Sequence, residues 1–283
     1  MWGELASVGA AACWATASLF YSRLSATFGS LSVNLAKAIL VLPMLALTAL
    51  VLDGRIWPEV QGRDLGLLGL SGLAGLAIGD SVYFGALVRI GPSRTLLIWS
   101  LAPALTAALA WPLLGEPVTG LMLAGMTLTL GGIAVVVWQG DWRQLPWQGV
   151  LLALGAAVGQ AVGNVLTKLG GADVSGLEVS VVRVAFALPA MFVVAALTGS
   201  LSGTRRCMSQ PEPLSRLAIA CFIGTYLGIW LSMIGLLIAP AGVAATLMST
   251  SPLFVLPLAA LVDRQAITRR EVLGAIVAVS GVA

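Results

Sequence analysis

Asp80, Tyr83 and Phe84 fall at i, i+3 and i+4 within one apolar run, a spacing that puts a carboxylate and two rings on one face of a helix. Such a stripe suits an amphipathic small molecule carrying an ammonium group and a flat side chain. An unpaired carboxylate so deep in an apolar run costs about 2.5–3.5 kcal/mol on insertion scales, so a structural ion pair with Lys37 or Arg183 is the alternative. Those two basic residues also lie inside apolar runs. Each either pairs with a carboxylate, from a ligand or from a gate, or snorkels to headgroups about 9 Å away. Trp14, Trp99, Trp230 and Tyr226 lie inside such runs as well, and each indole needs an N–H partner or a wet cavity. Together with Tyr83 they point to an aromatic-lined cavity, against the alternatives of lipid-facing or packed rings. Gln160 and Asn164, at i and i+4, add amide donors and acceptors to that cavity, or else glue helices together. Pro103 and Pro252, near the middle of their runs, remove backbone donors and read as hinges.

Catalytic chemistry is poorly served. The chain has no histidine, and its cysteines, Cys13, Cys207 and Cys221, show no metal-ligand spacing. No G-x-x-x-x-G-K-[ST] phosphate loop occurs, so the chain does not hydrolyse ATP by that device. No catalytic set, metal or cofactor is expected. Glu116, beside Pro117 at the end of an apolar run, reads as a turn or helix cap in preference to a proton site.

The elements that must position these residues follow from composition. Of 283 residues, 59% are hydrophobic and 10% charged, with a mean hydropathy of +0.99; a soluble domain carries about a quarter charged residues. A soluble enzyme is therefore excluded, and a net charge of +3, scattered along the chain, gives no footprint for nucleic acid. Runs of bilayer length fall at about 4–24, 31–52, 65–88, 94–114, 119–138, 147–168, 177–198, 214–238 and 241–262, with a shorter tenth at 270–283. The expectation is an all-α polytopic membrane protein of ten spans, the first a retained helix because no basic segment precedes it. Gly91-Pro92 and Ala239-Pro240 mark tight turns, and 199–213 reads as a Ser/Pro-rich surface loop. Trp2, Trp57, Trp111, Trp138, Trp142 and Trp147 sit at run ends, as an interfacial belt requires. Gly66, Gly69, Gly72, Gly75 and Gly79 form a thin ridge for sliding or for close packing.

The chain also resembles itself. A shift of 149 residues aligns Gly75 with Gly224, Gly79 with Gly228, Pro103 with Pro252 and Gly125 with Gly274; a shift of 146 aligns Lys37 with Arg183 and Pro43 with Pro189. The halves are 1–140 and 146–283. Five spans is an odd number, so the second half must insert upside down. Inverted repeats recur in secondary transporters, with the substrate site near the midplane between them.

The stretches Ser100-Leu-Ala-Pro103, Leu114-Gly-Glu-Pro117, Leu123-Ala-Gly125 and Gly131-Gly132, with Ser249-Thr-Ser-Pro252, Val262-Asp-Arg-Gln265 and Leu273-Gly274 in the second half, resemble those of the EamA family of ten-helix exporters in the drug/metabolite transporter superfamily. Gln265-Ala266 departs from the family's Glu-Pro, so a role for a second carboxylate does not carry over. The resemblance implies a multi-pass inner-membrane exporter of small metabolites. In its aromatic-rich spans the chain is most similar to YddG-type exporters, which favours aromatic or other large neutral amino acids. The protein is expected to act as a monomer in the lipid bilayer. Export of hydrophobic cations is the second reading, weakened because Glu4 stands at the extreme end of the first run and Cys13 and Trp14 at its middle. A polytopic membrane enzyme is the third, and lacks clustered acid, base or metal residues. On orientation, Arg55, Arg63 and Lys168 fall on one side, against Arg23, Arg89, Arg94, Arg143, Arg205, Arg206, Arg216, Arg264, Arg269 and Arg270 on the other. The positive-inside rule then puts both termini outside, whereas the resemblance implies termini inside.

Overall fold

Where water is absent, a helix satisfies every backbone N–H and C=O within one segment, and long apolar runs fold accordingly. The structure, a computed structural model, describes residues 1–57, 59–137, 146–171, 174–248, 250–251, 253–255, 257–258 and 269–280, with no strand among them. α1 (Trp2–Phe28) and α2 (Ser30–Asp53) are followed by a rod made of α3 (Gly62–Gly72), a π-helical stretch (Leu73–Gly79) and α4 (Asp80–Trp99). Within α4 the chain breaks at Gly91, where φ is 79° and ψ 165°, a conformation that a side chain would strain. The expected Gly91-Pro92 turn lies there. α5 (Ala102–Leu114) carries Pro103 in its first turn, where the missing N–H costs nothing. The run expected at 94–114 is thus split at Ser100–Leu101, and Pro103 opens a helix instead of kinking one. Pro252, the expected partner hinge, lies outside the described residues.

α6 (Gly120–Val137), α7 (Trp147–Gly170) and α8 (Gly176–Leu197) follow, the last opened by a capping box between Ser175 and Glu178. The segment expected to be a loop at 199–213 instead holds α9 (Leu201–Ser209). Its charges occupy one face, while Thr204 and Cys207 on another are buried, and the Thr204 hydroxyl donates to the Ser32 carbonyl at 3.1 Å. A second rod joins α10 (Pro211–Ala220), a π-helical stretch (Cys221–Leu227) and α11 (Gly228–Ile238); α12 (Ala241–Met248) and α13 (Arg269–Ser280) complete the described chain. Among the described residues, six helices, Trp2–Phe28, Ser30–Leu52, Gly62–Gly91, Trp147–Gly170, Gly176–Leu197 and Pro211–Ile238, are long and apolar enough to cross a membrane. Trp2, Trp57, Trp111 and Trp147 are exposed, as belt residues should be; Trp138 and Trp142 lie outside the described residues.

The two rods organise the core. Their π-helical stretches occupy equivalent places, since Gly75 and Gly79 align with Gly224 and Gly228. α7 crosses the first rod so closely that a Cβ on Gly159 would lie 2.8 Å from the Ala74 oxygen, and one on Gly163 3.3 Å from Gly75 Cα. α1 crosses the second rod, where a Cβ on Gly224 would strike Ala17 and one on Gly228 would lie 2.8 Å from Trp14 Nε1. Each half's rod therefore packs on the first helix of the other half. α2 packs on α8, α5 on α12 and α6 on α13. The glycine ridge is a packing surface over most of its length, with Gly69 against Phe186 and Gly72 against the Arg183 backbone, while Gly66 faces open space.

Candidate functional site

Lys37 and Arg183 lie at the same depth, each seven residues past the first residue of its helix (37 − 30 in α2, 183 − 176 in α8). Side-chain packing, not snorkelling, places both: Lys37 is 3% exposed and Arg183 1%. Lys37 Nζ forms an ion pair with Asp80 Oδ2 and sits 5.2 Å above the Phe84 ring. Asp80 opens α4 just after the π-helical stretch, its backbone N–H reaching back to the Gly75 oxygen. Buried Asn34 donates to the Leu76 oxygen at 3.0 Å and to Ser81 Oγ at 2.9 Å, so α2 supports the irregular turn that carries Asp80.

These residues border a cavity between the two halves, lined by Trp14, Tyr21, Lys37, Asp80, Tyr83, Phe84, Trp99, Gln160 and Arg183, with Thr225, Ile229, Ser232, Met233 and Ser251 among others. Its volume is about 80 Å³, several times the roughly 10–15 Å³ that a cavity needs to hold a water. Trp14 and Trp99 meet edge to face with centroids 5.7 Å apart, and Tyr83 lies 6.2 Å from Trp99 and 5.9 Å from Phe84. Such ring pairs contribute about 0.5–1.5 kcal/mol each beyond their buried area, enough to hold a wall in place without sealing it. A small recess adjoins, bordered by Trp14, Trp99, Pro103, Gln160 and Asn164. There Gln160 Nε2 donates to Asn164 Oδ1 at 2.8 Å, and Asn164 Nδ2 reaches Thr106 Oγ1 at 3.4 Å, joining α7 of the second half to α5 of the first.

Tyr226 and Trp230 do not border the cavity. The Tyr226 hydroxyl bonds Thr48 Oγ1 at 2.6 Å, and its ring stacks on Phe222 at 5.6 Å and lies 6.0 Å from Trp230. The stripe Thr225, Ile229, Ser232 and Met233 takes the cavity side of this rod instead. Tyr21 is a lining residue that sequence reasoning passed over. Its hydroxyl is 2.5 Å from Thr225 Oγ1 and its ring 4.9 Å from Phe84. The usable signal was its position, seven residues after Trp14 and therefore on the same helical stripe. Glu116 is partly exposed and tied to the second half: Oε1 pairs with Lys168 Nζ at 2.5 Å, and Oε2 accepts the Ala241 N–H at 2.8 Å at the start of α12. Among the described residues no cluster of His, Cys, Asp or Glu could hold a metal.

The cavity is built from repeat-equivalent positions. The 149-residue shift places Leu76 over Thr225, Asp80 over Ile229, Tyr83 over Ser232 and Phe84 over Met233, and every one of these borders the cavity. The 146-residue shift does the same for Trp14 with Gln160 and for Lys37 with Arg183. Comparison with known proteins agrees with this duplication. The family described as the EamA-like transporter family matches twice, over residues 1–138 and 147–283. A solved structure, titled only as the crystal structure of a protein, is similar with a TM-score of 0.74 at 19% identity, covering 99% of this chain and 95% of its own, a likeness of fold. No curated protein matches the chain. With the family covering both halves of an all-helical, multi-pass membrane protein, the chain belongs to the EamA-like transporter family, of the drug/metabolite transporter type.

Proposed function

We propose that this protein is an inner-membrane secondary transporter that exports small metabolites, with aromatic or other large neutral amino acids as the substrate class. Ten spans in two inverted halves, 1–140 and 146–283, exchange shapes about the shared cavity, with Pro103 and Pro252 as the proposed hinges. One observation carries the reading: repeat-equivalent residues of both halves converge on a single cavity that combines five rings, Trp14, Tyr21, Tyr83, Phe84 and Trp99, with buried charges. Inverted repeats meeting at a central site are the architecture of alternating access. Trp14, Asp80, Tyr83, Phe84, Trp99 and Gln160 are the proposed contacts, and Asn164 braces Gln160. No nucleotide is needed, so the gradient of the substrate or of a coupled ion drives export. The test is uptake by proteoliposomes of purified protein, across a panel of amino acids and cations, with and without a pH gradient. Downhill movement of aromatic amino acids without ATP is expected; strict ATP dependence, or no movement of any panel member, refutes the reading.

A further inference from the structure

The charges around the cavity do not balance. Among the described lining residues, Lys37 and Arg183 are cationic and Asp80 alone is anionic, and Asp80 is already paired with Lys37. The position equivalent to Asp80 in the second half is Ile229, so that half gives Arg183 no carboxylate of its own; the field of Asp80 reaches Arg183, but its hydrogen bond goes to Lys37. Among the described residues, the guanidinium of Arg183 finds one acceptor, Met233 Sδ, 2.8 Å from Nη1, while Nε has no partner. A thioether is a weak acceptor. Unlike lysine, arginine does not shed its proton to escape burial, and a charge at this depth calls for a named partner. A planar fork with unsatisfied donors, bordering a cavity, fits a carboxylate held by two parallel hydrogen bonds. The rings lie in the other half, at Trp14, Tyr83, Phe84 and Trp99.

We propose that Arg183 docks the carboxylate of the transported molecule while the first half's rings hold its flat body, so that the substrates are aromatic monocarboxylates for which an α-ammonium is dispensable. This rests on the transporter reading for the word substrate, and on the cavity alone for binding. A cation would meet the surplus positive charge of Arg183 and find Asp80 engaged. Three compounds with one ring and the same two-carbon spacer to the charged group separate the possibilities: indole-3-propionate (carboxylate only), L-tryptophan (carboxylate and ammonium) and tryptamine (ammonium only). Calorimetric titration of the full-length protein in detergent should show the first two binding and tryptamine weaker by about ten- to a hundredfold, the range for losing hydrogen bonds to a charged group. Arg183→Met, which fills a similar volume, should lose indole-3-propionate by a similar factor, and Arg183→Lys should recover part of it. Should Arg183→Met not fold, the order of the three ligands on the unaltered protein still decides. Tryptamine binding as tightly as indole-3-propionate, no binding of any of the three, or full affinity in a monodisperse Arg183→Met protein overturns the proposal. Ligand order as expected in a protein that transports nothing would sink the transporter reading and leave this site standing. Preferential transport of tryptamine with Arg183 dispensable would do the reverse.

Discussion

The two halves share a scaffold and divide the chemistry. Each rod has a π-helical stretch at the same place, each crosses the other half's first helix on paired glycines, and each second helix buries a basic residue seven positions in. The residues that the scaffold presents then differ at almost every equivalent pair. The first half offers Trp14, Asp80, Tyr83, Phe84 and Trp99; the second offers Gln160, Ile229, Ser232, Met233 and Met248 at the matching positions. Backbone close approach constrains the glycines from both sides, so they stay matched. A side chain pointing into a cavity has fewer packing neighbours and is free to diverge, and divergence gives a ligand a direction. The first half supplies the rings and a carboxylate already paired with Lys37. The second supplies a guanidinium, lying against Gly75 of the first half's rod, with donors to spare.

Breaking the ion pair of the first half should have the largest effect. Asp80→Asn keeps the shape and leaves Lys37 charged and buried with no counter-charge, only an amide oxygen and the Phe84 ring beside it. The expected loss is about 3 kcal/mol, the low end for a broken buried pair, because the Asp80 side chain is 26% exposed. Thermal unfolding in detergent measures it, and Lys37→Met in the same chain should restore most of the loss. An Asp80→Asn protein as stable as the parent would show that the pair is not structural. Next in size, Ile229→Asp gives the second half the carboxylate it lacks. It should compete with a ligand for Arg183 and weaken indole-3-propionate by about tenfold, read by the same titration, while leaving the fold intact.

Much of this was legible in the sequence, for physical reasons. A charge inside an apolar run is expensive wherever it lies, so Asp80, Lys37 and Arg183 declared themselves without coordinates. Helical spacing placed Tyr83 and Phe84 beside Asp80. The same spacing, carried across the repeat by 149 residues, would have found Thr225, Ile229, Ser232 and Met233. Judging by residue type instead favoured Tyr226 and Trp230, whose equivalents Ala77 and Ser81 also stand off the cavity. The π-helical stretches have no residue code of their own. Their glycines are visible, but a bulge depends on what crosses the rod, here α7 and α1. The position of Pro103 was clear and its role was not, because a proline starting a helix and one kinking it look alike when the run continues on both sides. The helical segment at 201–209 was hidden by its charged face, with Thr204 and Cys207 too sparse to register as a stripe.

A smaller effect is expected where an aromatic residue is replaced by its repeat equivalent. Trp99→Met copies Met248 into the first half and removes the edge-to-face contact with Trp14. Transport of tryptophan should fall by about two- to tenfold, corresponding to the 0.5–1.5 kcal/mol of such a ring contact, with little change for alanine. Equal losses for both substrates would count against an aromatic wall.

The smallest effect is expected at the end of the bundle where Glu116 meets Lys168. The equivalent of Glu116 is Gln265, so Glu116→Gln makes the first half match the second in sequence. The Lys168 ion pair is lost, but both of its side chains are about one-fifth exposed, and Lys168 Nζ keeps its bond to the Ala239 oxygen at 2.7 Å. A glutamine oxygen can still accept the Ala241 N–H. The cost should therefore stay near that of a partly exposed pair, about 1 kcal/mol or less, and should shrink further in high salt. Thermal unfolding at two salt concentrations measures this, and proteoliposome uptake with and without a pH gradient gives the functional side. Uptake that persists, with an unchanged response to the gradient, fits a tie between the halves. Uptake that survives only as gradient-insensitive leakage would make Glu116 a proton carrier instead, and would move the functional difference between the halves from the cavity to the bundle end.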